Sequence, residues 1–496
     1  MSAPEFGPHV RVPRPPSAYR WRRLRWLVLA GVVVFTPGVL STAALVLGGA
    51  TWVGLGLVRR AVRRRQEQSQ RLDPRWIQLG RDPRGRPISL HEDQLGAHGL
   101  ILGASGSGKS TTLVSITSQQ IAAGRPVVVI DLKGSRELEA QLASAAAQAG
   151  RRLRVWTPDG DEHWNPLAHG NATELKDKLI STERFSEPHY QRAAERYVQT
   201  ALQVLGELAP GQEPSLSGLI TLLEPRRLQN AARRLPTARN VQIQDYVRAL
   251  GPDQVSAVRG LASRLAVISE SHTGRFLEPA GGSIDLHRAL DGGDVVLFSL
   301  NSSSYGRLSA QLGALAVQDL ISAGGARERA GAHGGTAATV AIDEFSGLGA
   351  DHVLALIARG RSAGISVLLA TQELADLDRV SHGFRQQVIG STAVKIAHRQ
   401  DVPESAWEVA RLSGTEKTWE RSWSQADGLF IGGQGSGARR VNSRLVDRFG
   451  VDPSVVQSLA TGEAVVITKL PRSETRLARI RPLGLDAGQR ESGRGR

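Results

Sequence analysis

Leu100-Ile-Leu-Gly-Ala-Ser-Gly-Ser-Gly-Lys-Ser-Thr111 sets an apolar run directly before a glycine-rich loop, and the loop passes into a helix-forming stretch that starts near Ser110. Gly103, Gly108, Lys109 and Ser110 satisfy the pattern G-x-x-x-x-G-K-[ST], and the strand, loop, helix context is what gives that pattern meaning. The glycines let successive backbone N–H groups turn inward on phosphate oxygens, while the helix N-terminus adds the positive end of its dipole. Gly103, Ala104, Ser105, Gly106, Ser107, Gly108, Lys109, Ser110 and Thr111 are therefore candidate nucleotide-binding residues. Lys109 is placed to reach the β- and γ-phosphates and Ser110 to offer its hydroxyl to Mg2+, so ATP and Mg2+ are the expected cofactors.

A phosphate loop that hydrolyses its nucleotide also needs an acidic strand end, and Val340-Ala-Ile-Asp-Glu344 supplies one. Asp343 closes an apolar run, which brings its carboxylate to the carboxyl edge of a parallel sheet, where ligands of open α/β folds bind. It is the second candidate metal ligand. Glu344 follows, placed to orient and deprotonate a water that attacks the γ-phosphate.

At 496 residues, 41% hydrophobic and 22% charged, the chain has globular composition and room for two or three domains. The absence of cysteine excludes disulfides, cysteine–zinc sites and thiol chemistry, and the twelve histidines show no metal-ligand spacing. The net charge of +15 suggests a nucleic-acid partner until it is located. Eleven arginines and one acid in residues 1–66, with seven arginines and three acids in 471–496, account for all but one of those charges. The body between is nearly neutral, so bulk charge is poor evidence that it binds DNA.

From Trp26 to Val58 no residue is charged, a run longer than the ~20 residues that cross a bilayer as one helix. Arginines crowd both flanks, so both ends prefer the cytoplasm. A hairpin turning around Thr36-Pro37-Gly38 or Ser41-Thr42 satisfies this, and one long tilted helix is the alternative. The expected place is a bacterial cell membrane, single-pass or multi-pass, with the bulk of the chain cytoplasmic. A cleaved signal peptide would separate a nucleotide hydrolase from its ATP.

Strand-like runs recur at Leu100–Leu102, Pro126–Ile130, Leu153–Trp156, Asp294–Leu300, Thr339–Ile342, Ile365–Ala370, Ala393–Ala397 and Ala464–Thr468. Helix-like stretches separate several of them, the α/β pattern of a mostly parallel sheet covered on both faces. From about Ser181 to Pro279 no strand run is evident, and apolar residues recur at helical spacing in Tyr197, Ala201, Leu205 and Val258, Leu261, Leu265. The division expected is a basic cytoplasmic tail over 1–25, a transmembrane segment over 26–58 and a basic linker over 59–74. A RecA-like P-loop nucleotide-binding domain follows in two parts, 75–180 and 285–482, with an all-helical domain inserted over 181–284 and a disordered tail over 483–496.

With these motifs in this order the chain resembles the type IV secretion coupling proteins, membrane-anchored hexameric ATPases that feed conjugative DNA to a secretion channel. The likeness also rests on Ile130-Asp-Leu-Lys-Gly134, Trp164-Asn-Pro-Leu167, His189-Tyr190, Ala358-Arg-Gly-Arg-Ser-Ala-Gly-Ile365, Leu368-Leu-Ala-Thr-Gln-Glu373 and Gly462-Glu-Ala-Val-Val466. The resemblance implies DNA as partner, single-stranded and relaxase-bound, together with the relaxase, secretion-channel proteins, the membrane and further copies of the chain in a hexamer. It implies a nucleotide site between subunits, with Arg361 as the arginine finger and Arg359 in reserve, and Gln372 as a sensor of the γ-phosphate. The family's sizeable extracytoplasmic segment has almost no counterpart here. That leaves in play the DNA-pumping translocases of chromosome partitioning and mycelial plasmid transfer. The near-neutral body keeps open a protein-secretion ATPase, and a docking receptor controlled by nucleotide is a third reading, against which Glu344 argues.

Overall fold

The structure is a computed structural model that describes residues 73–183, 185, 187–331, 337–424 and 440–482. The expected tail over 1–25, transmembrane segment over 26–58, nearly all of the linker and the tail over 483–496 lie outside the described residues. Among the described residues no helix is long and apolar enough to cross a membrane.

Thirteen strands are described, in chain order β1 (Trp76–Arg81), β2 (Pro87–His91), β3 (Gly99–Leu102), β4 (Val127–Asp131), β5 (Leu153–Trp156), β6 (Val295–Ser299) and β7 (Ala338–Asp343), then β8 (Ile365–Thr371), β9 (Val394–Ala397), β10 (Thr415–Ser424), β11 (Arg440–Phe449), β12 (Glu463–Thr468) and β13 (Glu474–Ile480). Eleven form one sheet in the order β2-β1-β13-β12-β9-β3-β8-β7-β4-β6-β5. From β9 to β5 the neighbours run parallel; from β12 outward they run antiparallel. The strands of the parallel half are apolar throughout because both faces are covered: every residue of β3, β4, β6, β7, β8 and β9 is buried. Leu113 and Ile116 of the helix Lys109–Ala122 and Leu138 and Leu142 of the helix Arg136–Gln148 share one core with Ile101, Val129, Ala341 and Leu368. Each such leucine, isoleucine or valine side chain contributes roughly 1.5–3 kcal/mol by leaving water.

Between β5 and β6 the described elements are helices only, among them Ala172–Ser181, Pro188–Leu208, Thr237–Arg248 and Pro252–Ser269. The Trp164-Asn-Pro-Leu167 stretch ties them down. Trp164 Nε1 donates to Asp319 Oδ2 (2.9 Å), and Lys178 Nζ donates to Asp319 Oδ1 (2.7 Å), both partners buried. Asn165 donates to Glu213 Oε2 (2.9 Å) and accepts from Leu167 N (3.0 Å).

Residues 410–452 belong to a second compact unit, in which β10 and β11 pair antiparallel in unbroken register from Thr415↔Phe449 to Ser424↔Arg440.

Candidate functional site

β3 ends at Leu102, and the chain turns through residues 103–108 into the helix Lys109–Ala122, whose N-cap is Gly108 with no side-chain cap bond. The first-turn N–H groups thus keep no side-chain acceptor, the condition for an anion seat. Two glycines are required by packing. A Cβ on Gly103 would lie 2.4 Å from Ser107 Oγ and 2.9 Å from His398 Cβ, and one on Gly108, at φ +111°, would lie 3.1 Å from the Gly462 backbone. Ser107 Oγ is buried and has no hydrogen-bond partner, Ser105, Gly106 and Ser110 are exposed, and Lys109 is 8% exposed. The donors present therefore suit a polyphosphate.

β8 lies between β3 and β7, with Leu102 opposite Thr371 and Asp343 opposite Ala370. This order carries the ends of the three strands to one place. Lys109 Nζ donates to Asp343 Oδ1 (3.0 Å) and Glu344 Oε1 (2.8 Å), and Gln372 Nε2 donates to the same Glu344 oxygen (2.9 Å). Burial opposes the lysine charge, but the two carboxylates outweigh it, and the Lys109 pKa lies above the ordinary lysine value. Glu344 holds a left-handed backbone, φ +56° and ψ +42°, uncommon for a residue with a long side chain. Such backbone strain gathers where a side chain has to be aimed. Lys109, Asp343, Glu344 and Gln372 thus converge as a buried cation between two carboxylates, with an amide locking one of them.

Arg361 does not join them. It is exposed, in the turn between the helix Ala350–Gly360 and the start of β8, at the amino edge of the sheet. Its charge is felt at His98, where burial first and then this guanidinium pull the imidazole pKa down to about 4. The seven residues of β8 separate Arg361 from Gln372, a span of roughly 20 Å. Arg359, also exposed, lines a separate cleft with Glu174, Asp177, Gln318 and His352.

Three features receive a role only from the structure, although Asp131 and Gly462 lie in stretches that carry the family likeness. Asp131 ends β4 opposite Asp343, 1% exposed, and accepts from Lys133 N (2.9 Å) and Ser135 N (2.6 Å). Burial raises its pKa, the Ser135 amide works against that, and Asp343 raises it further. His398, just past β9, is fully buried against the loop glycines. Thr461 and Gly462, before β12, bond to the loop itself: Gly462 N donates to Ser107 O (2.9 Å) and Thr461 Oγ1 to Gly106 O (3.3 Å). A histidine closing a strand was a signal open to the sequence, but only the β9–β3 pairing gives it a place.

Two family models match the chain: the FtsK/SpoIIIE family over residues 59–137, and the TraM recognition site of TraD and TraG over residues 338–460. No curated protein matches the chain by sequence. Among solved structures, the bacterial conjugative coupling protein TrwB in its unbound form superposes with a TM-score of 0.58 at 15% identity, covering 80% of this chain and 87% of that one. TrwB with a non-hydrolysable ATP analogue gives 0.57 at 15% identity, covering 80% and 88%. VirB4 of Thermoanaerobacter pseudethanolicus gives 0.53 at 14% identity, covering 82% and 97%. The shared fold is the RecA-like P-loop fold.

Proposed function

We propose that this chain, a P-loop ATPase of the type IV coupling-protein class among the FtsK/HerA-like proteins, couples ATP hydrolysis to the passage of relaxase-bound single-stranded DNA through a type IV secretion channel. The observation that carries this reading is the buried Lys109 ammonium held between Asp343 and Glu344 at the mouth of the phosphate loop. Residues 103–111 bind the phosphates, and Lys109 meets the negative charge of the transferring group. Asp343 and Ser110 would hold magnesium, and the ion would supply neutralisation of phosphate charge there. Glu344 takes the proton of the attacking water, and Gln372, bonded to the same carboxylate, carries the state of that residue into β8. TrwB, which shares the fold, has been seen with ADP and Mg2+ and with analogues of ATP and GTP.

Arg361 is exposed at the amino edge of the sheet and so is open to a neighbouring copy, which supports a site completed between subunits of a hexameric ring. In the same proposal residues 181–284 form the inserted helical domain and residues 26–58 anchor the ring in the bacterial membrane. A second reading, a motor for protein export, is supported by the near-neutral body between residues 67 and 470.

The test is ATP hydrolysis by the full chain in detergent micelles with single-stranded DNA, duplex DNA or none. Stimulation by DNA is expected. Vigorous hydrolysis indifferent to both, by a chain shown to assemble, would transfer the assignment to protein export.

A further inference from the structure

We infer that His398 is a positioning residue for the nucleotide: it ties the first turn of the helix Lys109–Ala122 to the segment Thr461–Glu463, and so holds the phosphate loop in its phosphate-accepting shape. The inference rests on the reading of residues 103–111 as the nucleotide site.

β9 runs parallel to β3 with Ala397 opposite Leu102, and His398 N donates to Leu102 O (2.8 Å). The residue after β9 therefore sits beneath the loop that leaves β3. Its imidazole is fully buried, and each nitrogen has one partner: Nδ1 lies 2.9 Å from Glu463 O, and Nε2 lies 2.8 Å from Thr112 Oγ1. A carbonyl only accepts, so Nδ1 carries the hydrogen and the lone pair of Nε2 accepts from the Thr112 hydroxyl. Burial holds the ring neutral, with its pKa down at about 4, so this tautomer persists at neutral pH.

A buried histidine with two satisfied nitrogens is ordinarily a core residue and nothing more. Here the objects it joins decide the matter. The side chain packs against both glycines that the loop cannot replace: a Cβ built on Gly103 would lie 2.9 Å from His398 Cβ and 3.5 Å from the ring's Cγ, and one built on Gly108 would lie 3.3 Å from the ring's Cε1. Its anchor, Glu463, directly follows the two residues that bind the loop carbonyls of Gly106 and Ser107. Ala104 N meanwhile donates to Arg399 O (3.0 Å), the residue after His398. A phosphate repels carbonyl oxygens and attracts N–H groups. Donors that hold two loop carbonyls aside therefore turn those oxygens away from the ligand and leave it the loop amides other than those of Gly103, Ala104 and Ser107, which bond within the protein. His398 fixes the distance between those donors and the helix.

A group that only shapes the binding site serves ground state and transition state alike, so its loss weakens affinity without slowing turnover at saturation. The full chain in detergent micelles is compared with Thr112→Val, Thr112→Ser, His398→Asn and the Thr112→Val/His398→Asn pair. The readouts are fluorescent-ADP affinity, turnover at saturating ATP and melting temperature. Thr112→Val and His398→Asn are each expected to weaken ADP binding by roughly three- to tenfold, the loss of one hydrogen bond. The double variant is expected to be no weaker than the worse single one, because both break the same link. Thr112→Ser, which keeps the hydroxyl, stays within about twofold of the parent, and saturated turnover stays within about threefold throughout. ADP affinity unchanged in both singles, or a double variant whose loss is the product of the two, overturns the inference and leaves the ring a packing residue. If His398→Asn fails to fold, the contrast of Val with Ser at 112 decides alone. A parent chain that binds no nucleotide would sink the site reading and this inference with it; a parent that binds with equal variants sinks only the inference.

Discussion

Glu344→Gln separates binding from chemistry at this site. The carboxylate is fixed by Lys109 Nζ at 2.8 Å and Gln372 Nε2 at 2.9 Å on one oxygen, on a backbone already held in the left-handed region. An amide of the same shape presents its carbonyl oxygen to both donors, so the arrangement survives and only the ability to take a proton is lost. General-base catalysis contributes about 10²–10⁴ in rate, or roughly 3–5 kcal/mol of barrier. Turnover of ATP by the full chain is therefore expected to fall by at least about a hundredfold. Affinity for a non-hydrolysable ATP analogue should stay within about threefold, since the phosphate loop, Lys109 and Asp343 are untouched. The assay is phosphate release at saturating ATP beside analogue binding on the same preparation. Turnover within about threefold of the parent refutes the assignment of Glu344 as the base, whatever the binding shows.

Gly103→Ala places a Cβ 2.4 Å from Ser107 Oγ and 2.9 Å from His398 Cβ, so nucleotide binding is expected to be lost while the circular dichroism of the chain is kept; retained ADP affinity would contradict the packing argument. Arg361→Ala and Glu344→Gln are each expected to be nearly inactive alone but to complement when coassembled in equal amounts, since about a quarter of all interfaces then pair an intact Glu344 with a neighbour's intact Arg361. A mixture no more active than its parts would mean that Arg361 does not act across subunits. His98 and His398 have folded pKa values near 4 against an ordinary 6.5, so the unfolded chain binds more protons between those values. Their contribution is present above pH 6.5 and is lost as pH falls toward 4, roughly 2 kcal/mol apiece between pH 7 and pH 5. The unfolding midpoint in urea should drop over that interval, and His398→Asn should flatten the drop; a midpoint indifferent to pH would show that these rings are solvated.

The eight strand runs read from sequence correspond to β3, β4, β5, β6, β7, β8, β9 and β12, in most cases to within a residue at each end. Most of them are continuous apolar runs, the mark of strands covered on both faces. The strands that escaped alternate instead. β1 and β2 bury every second residue, β13 shows buried positions only near its end, and β10 is a run of Thr, Glu, Lys, Trp, Arg and Ser. Period two in short segments with charge on the open face is a faint signal beside Val-Val-Val-Ile. Nor does an apolar run reveal direction, so the antiparallel turn of β12 against β9 was not readable.

Legibility of the site follows the same division between local and distant. The phosphate loop announces itself because its glycines, Lys109 and Ser110 lie within a few residues of one another, and Asp343-Glu344 gains meaning from that loop, since a carboxylate at a strand end taken alone is ordinarily just solvated. The meeting of Lys109 with Glu344 spans 235 positions, and that of Thr112 with His398 spans 286, so neither pairing has a local signature. Gly462 contacts Ser107 only because β12 joins β9, which joins β3. Arg361 was legible as a residue but not as a place: only the topology shows that it stands at the opposite edge of the sheet.

The most direct test of the account is phosphate release from ATP by the full chain and by Lys109→Ala, each with and without single-stranded DNA. The account predicts hydrolysis that rises with DNA in the parent and falls to background in the variant. Equal hydrolysis by the two chains, with or without DNA, would contradict it.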